Sequence, residues 1–247
     1  MPTERPQRLV VALTGATGVV LGVRLLEELR HHDSVETHLV MSRWARATLK
    51  TESELTAREV QSLADVSYSP DDQGAAISSG SFRADGMVVM PCSMKTLASI
   101  RTGYADGLIT RAADVTLKER RKLVLVPRET PLGEIHLDHL LALSRMGAVV
   151  LPPMLTFYNR PSSVDDMIDH LVSRVLDQFG ISSHRARRWE GMPDRAAEPA
   201  PGGAPDPAPD PAVARPASPA PGSVPNPAVT VPVRRALAAT TPGGATS

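Results

Sequence analysis

Five short apolar runs punctuate the chain between residues 8 and 151, each followed by a break and most by a helical pattern. Four of them, Arg8–Leu13 (RLVVAL), Gly86–Met90 (GMVVM), Lys122–Val126 (KLVLV) and Ala148–Leu151 (AVVL), are nearly continuously apolar. Such runs suit strands buried on both faces, a property of parallel sheets. The fifth, Val35–Met41 (VETHLVM), alternates. Helical patterns follow at Val19–Arg30, Arg43–Lys50, Met94–Ile100, Asp106–Glu119, Glu134–Arg145 and Val164–Phe179. Repetition of strand, helix and strand predicts an α/β domain whose parallel sheet carries helices on both faces.

The pattern stops near residue 190 of the 247. Residues from Pro193 onward hold 14 of the 23 prolines, and no aromatic residue follows Trp189. Without large apolar side chains to offset ordering entropy, residues 191–247 are expected to form a disordered Pro/Ala-rich tail. Residues 1–190 are ample for one core. Lys plus Arg equals Asp plus Glu at 27 each, which removes the electrostatic case for a nucleic-acid partner. The single cysteine, Cys92, excludes an internal disulfide framework and a cysteine-rich zinc site. No apolar run approaches the roughly 18 residues a membrane span needs, and the N-terminus lacks a signal-peptide pattern. A soluble cytoplasmic protein is the expectation.

Ligands of open parallel sheets bind beyond the carboxyl ends of the strands, so the residues just after each run are the candidates. Thr14-Gly15-Ala16-Thr17-Gly18 closes the first, with glycines that let amides approach an anion or simply make a tight turn. It lacks the three-glycine dinucleotide fingerprint, which disfavours a nicotinamide enzyme. Ser42 closes the second. Cys92-Ser93-Met94-Lys95-Thr96 follows the third and offers hydroxyls, an ammonium and a helix start. Ser93 also suits a plain helix cap, and Cys92 a buried thiol. Lys95 stands out because the chain has only four lysines against 23 arginines. Arg111 and Lys118 share a helical stripe that either faces solvent or points at an anion. Arg128-Glu129 places charge at the end of an apolar run, as a ligand group or an ion pair. Asp165-Asp166-Met167-Ile168-Asp169 matches a magnesium-binding pattern, but Ser163 three residues before Asp166 reads as a helix cap. His136, His139 and His170 lack metal-type spacing, so no metal site is assigned.

Together TGATG, LVMS ending at Ser42, PCSMKT at 91–96, RAADVTLKERR at 111–121, VPRETP at 126–131 and FYNRP at 157–161 resemble the UbiX-type flavin prenyltransferases. The resemblance spans about residues 8–190. It implies a Rossmann- or flavodoxin-like domain assembled as a homododecamer, with reduced FMN as a substrate. The implied reaction moves a dimethylallyl group from dimethylallyl monophosphate to flavin N5 and then closes a ring at C6. Its product, prenylated FMN, would serve a UbiD-type decarboxylase. The implied FMN contacts are Gly15, Ala16, Thr17, Ser42, Ser93, Met94, Lys95, Thr96 and Arg128. The implied prenyl-phosphate contacts are Tyr158 and Arg174, with Lys118 and Glu129 beside them. Thr17 stands where serine is common in the family and Asn159 where histidine is common.

That chemistry suits the residues. Loss of an allylic phosphate leaves an anion that Arg111, Lys118, Tyr158 and Arg174 can stabilise without a metal. Glu129 is the carboxyl candidate for proton transfer. Two alternatives share parts of this description. An FMN-dependent decarboxylase of cysteine-bearing peptides would carry a PASANT-like motif where this chain has PCSMKT. A flavin-storage protein would not need Tyr158 and Arg174.

Overall fold

The computed structural model describes residues 5–183, 185 and 188–192. The tail expected at 191–247 therefore lies, from Pro193 on, outside the described residues. Six parallel strands form one sheet in the order β3-β2-β1-β4-β5-β6. The strands are β1 (Gln7–Leu13), β2 (Val35–Met41), β3 (Val66–Tyr68), β4 (Gly86–Cys92), β5 (Lys122–Pro127) and β6 (Val149–Val150). The helices are α1 (Val19–Leu29), α2 (Arg43–Glu52), α3 (Ala57–Gln61), α4 (Met94–Thr102), α5 (Leu108–Lys118), α6 (Glu134–Arg145) and α7 (Val164–Asp177).

The period of two along each strand divides a continuous apolar run between two cores. Leu9, Val11 and Leu13 of β1 pack with α1, α2 and α7, whereas Val10 and Ala12 pack with α4, α5 and α6. Both faces of the sheet are thus covered, and the described chain is a single α/β domain of flavodoxin-like type. Leu25 of α1 is fully buried, so Leu25→Ala removes roughly 2–5 kcal/mol of stability.

The sequence reading lacked β3 and α3. Both are short, three and five residues, and β3 is an edge strand whose residues are half-buried or exposed. Neither is long enough to show a period. The last strand is also shorter than expected, with only Val149 and Val150 in the ladder.

Strand order reverses between β1 and β4, whose outward connections lead to opposite faces of the sheet. The carboxyl ends around this crevice are stitched together. Thr14, almost fully buried, donates its hydroxyl to Pro91 O at 2.7 Å and accepts from Ser93 N–H at 2.8 Å. Ser42 N–H donates to Leu13 O at 3.0 Å, and Arg128 N–H to Cys92 O at 3.2 Å. Each loop named above is fixed where it leaves the sheet.

Candidate active site

Two clefts open at this edge. The larger, about 720 Å³, is lined by Gly15, Ser42, Trp44, Ser93, Lys95 and Thr96, among others. The smaller, about 260 Å³, is mostly apolar and carries Arg128 and Glu129 at its rim between Leu132, Leu140 and Met154.

The larger cleft is built from helix starts. Ser42 Oγ caps α2 by accepting from Ala45 N–H at 3.0 Å. Ser93 Oγ caps α4 by accepting from Thr96 N–H at 3.3 Å and meets Thr96 Oγ1 at 3.1 Å. Both hydroxyls retain hydrogen-bonding capacity, and the two helix dipoles favour an anion there. Lys95 and Arg43 add positive charge, Trp44 and Tyr104 add aromatic surface, and Asp71 and Asp106 supply acidic groups. Gly15 is required by space, because a Cβ there would run into Trp44 Cβ. Met94 lies at the first position of α4 but does not line the cleft.

The first turn departs from the expectation of an open anion site. Glu52, in the last turn of α2, brings its carboxylate to the start of α1. It accepts from Gly18 N–H at 3.0 Å, Val19 N–H at 2.8 Å and the Thr17 hydroxyl. The helix dipole at this anion-binding position is thereby satisfied from within the chain. The amides of Gly15, Ala16 and Thr17 have no hydrogen-bond partner among the described residues. Sequence reasoning missed Glu52. Its signal was an acid in the last turn of a helix, where its own dipole disfavours it unless another group needs it.

The remaining predicted residues lie outside the larger cleft of their own chain. Arg111 Nε donates to Ser78 O at 3.1 Å, and its guanidinium pairs with Asp114 at 2.8 Å. Lys118 ends α5, four residues before β5 begins, and pairs with Glu119 at 2.5 Å. The two share a helix but do not converge on one anion. Arg174 pairs with Asp177 at 2.7 Å, and Arg188 joins the same carboxylate at 2.7 Å. Tyr158 sits between two edge-on rings, His170 at 5.7 Å and Trp189 at 5.5 Å between centroids.

The aspartate run has local employment. Asp165 and Asp169 bind Arg24 of α1 at 2.8 and 3.0 Å, and Asp166 accepts from Ser162. Ser163 caps α7 through Asp166 N–H at 3.1 Å. Among the described residues no group of three or more His, Cys, Asp or Glu side chains could hold a metal ion. Cys92 is buried, and burial pushes its thiol up to about 12, far from a nucleophilic thiolate at neutral pH. No described helix is long and apolar enough to cross a membrane.

A family model described as Flavoprotein matches residues 2–177, which fixes the class of this fold and cleft. A probable UbiX-like flavin prenyltransferase of Streptomyces sp. (strain D7) is 65% identical over 193 residues, 78% of this chain and 96% of the relative. The crystal structure of a dodecameric FMN-dependent UbiX-like decarboxylase from Escherichia coli O157:H7 superposes with a TM-score of 0.74 at 63% identity. That match covers 75% of this chain and 100% of the other. The structure of AnUbiX (PadA1) in complex with FMN and dimethylallyl pyrophosphate matches with a TM-score of 0.75 at 54% identity, over 76% and 100% of the two chains. The chain belongs to the UbiX-like flavin prenyltransferases.

Proposed function

We propose that this chain transfers the dimethylallyl group of dimethylallyl monophosphate to reduced FMN, at N5 and then C6. The observation that carries the reading is the large cleft at the strand switch point, where two capped helix starts, Lys95 and two aromatic rings surround one space. This mixture fits a ligand with a phosphate at one end and a flat ring system at the other. Ser42, Ser93, Lys95 and Thr96, with the free amides of Gly15, Ala16 and Thr17, would hold the flavin, with Met94 and Arg128 at its margin.

Bound reduced flavin supplies the nucleophile, so no side-chain nucleophile is required. The chain's own residues deal with the phosphate and the protons. Tyr158 and Arg174 would hold the prenyl phosphate, and Glu129, exposed at the smaller cleft, would move the proton during leaving-group departure or ring closure. Arg111, Lys118, Tyr158 and Arg174 all lie outside both clefts of their own chain, so bringing them to the leaving group requires that a neighbouring copy present them. Ile135, Leu137 and Leu141 on α6, and Leu155 and Phe157 beyond β6, are exposed apolar side chains suited to being covered by such copies. A homododecamer, as in the Escherichia coli relative, is the assembly we propose. The catalytic domain would be residues 1–190, acting in the cytoplasm, and the prenylated FMN would pass to a UbiD-type decarboxylase.

Mass spectrometry of the flavin after incubation of the full chain with reduced FMN and dimethylallyl monophosphate tests the reading. An added C5 unit, formed equally with chelator present, is expected. No mass increment, or one dependent on magnesium, would overturn it. A parallel incubation with the diphosphate ranks the two donors.

A further inference from the structure

His170 is a buried polar side chain of α7 with no part in the proposed reaction so far. It is only 4% exposed and meets one polar group, the Tyr158 hydroxyl, 3.3 Å from its Nε2. Its other nitrogen, Nδ1, is buried with no partner among the described residues. The two nitrogens are therefore unequal. A proton on Nδ1 would be a buried donor left unmade, whereas a bare lone pair there costs less. The tautomer that the surroundings favour carries its proton on Nε2 and donates it to the phenol oxygen. Tyr158 then accepts from His170 and keeps its own O–H free to donate on its exposed side. Accepting a hydrogen bond also makes that O–H a better donor. Burial, with the Arg174 charge one helical turn away, holds His170 below its ordinary range and therefore neutral.

We propose that His170 is a positioning residue for prenyl transfer, presenting the Tyr158 O–H to the phosphate of the donor. The inference rests on the assignment of Tyr158 to that phosphate made above. Trp189 also meets this ring edge-on, at an interplanar angle of 79°. His170 is thus the polar neighbour of this ring beside an apolar one, and its hydrogen bond orients the phenol hydrogen away from Nε2.

A double-mutant cycle on the full chain, read as KM and kcat for dimethylallyl monophosphate and for reduced FMN, tests the proposal. His170→Phe keeps the edge-on ring and removes the N–H. It is expected to raise the donor KM about tenfold, the loss of one hydrogen bond, with the FMN KM unchanged. His170→Gln, whose amide N–H reaches toward the Nε2 position, is expected to recover to within about threefold of wild type. In a Tyr158→Phe background, His170→Phe is expected to add less than a twofold further loss. An equal loss in both backgrounds, or an unchanged donor KM in His170→Phe, overturns the positioning role while leaving the reaction intact. If wild type makes no prenylated flavin, both the reaction and this inference fall. Should His170→Phe not fold, His170→Asn, too short to reach the phenol, takes its place in the cycle with the same expected outcomes.

Discussion

Glu129 sits at the rim of the smaller cleft with its carboxylate exposed, accepting from the Thr130 N–H at 3.0 Å. Glu129→Gln preserves shape and most hydrogen bonding, so flavin binding should survive. If the carboxyl moves a proton, product formation should fall on the order of 100-fold, the scale of general acid–base catalysis. Single-turnover assays on flavin-loaded protein separate binding from chemistry, and wild-type turnover would remove Glu129 from the mechanism. Much of the residue-scale reading was available from sequence. Ser42, Ser93, Lys95 and Thr96 gather in one cleft because Ser42 and Ser93 directly follow buried strands and Lys95 and Thr96 sit in the first turn of the helix that Ser93 caps. Lys118 was not readable in this way. A shared helical stripe with Arg111 says which face a side chain takes, not what lies beyond it, and Glu119 claims the ammonium at the far end of α5.

At the scale of elements, the start of α1 is the clearest case of structure adding what the sequence withholds. Gly18 takes a left-handed conformation, φ 95°, and offers no side-chain cap. The cap comes instead from Glu52, 34 positions away, a distance across which no local pattern can be read. Removing it in Glu52→Ala should cost about 1 kcal/mol and lower the melting temperature by about 2–4 °C. Calorimetry of the two proteins at one concentration checks this, and an unchanged melting temperature would mean that solvent replaces the carboxylate without loss. The same limit explains β3. Its place beside β2 is set by tertiary pairing through His38, Leu39 and Val40, with Asp65 accepting from Thr37 N–H at 2.7 Å. Three residues of alternating burial leave no such trace in the sequence.

At the scale of the whole molecule, acid should act in two stages. His38 is held below its ordinary range, chiefly by burial, with Glu36, Arg8, Asp65 and Tyr68 around it. His170 is shifted the same way, first by burial and then by Arg174. A histidine kept neutral in the fold is protonated more readily in the unfolded chain, so stability falls as pH drops below about 6.5. Asp85 and Asp177 are partly buried, which alone would raise them, but Arg5 and Arg188 hold both below the ordinary carboxylate range. The stability they add is present above about pH 4 and is lost as pH falls further. Melting temperatures from pH 8 to 3 should show both declines, and a single drop in the carboxylate range would refute the histidine contribution. Chain ends give another whole-molecule test. Ser183 and Arg185 bind the buried Glu28 at 3.0 and 2.8 Å, and Arg188 binds Asp177. Truncation after Gly191 should therefore leave activity and assembly within about twofold of full length. Truncation before Trp189 should lower one or both, and equal behaviour of the two products would deny Trp189 any role.

Trp44 stands at the mouth of the larger cleft with 61% of its surface exposed, its Cβ pressed toward Gly15. The chain has one other tryptophan, Trp189, on Tyr158. Intrinsic fluorescence is consequently divided between two optical reporters in different places. In Trp189→Phe the emission comes from Trp44 alone, and flavin seated beside that indole should quench it by energy transfer. Titration of this variant would then give a flavin dissociation constant directly, without turnover or label. The complementary Trp44→Phe protein would leave Trp189 as a beacon for the Tyr158 ring, darkening or brightening as the prenyl donor arrives.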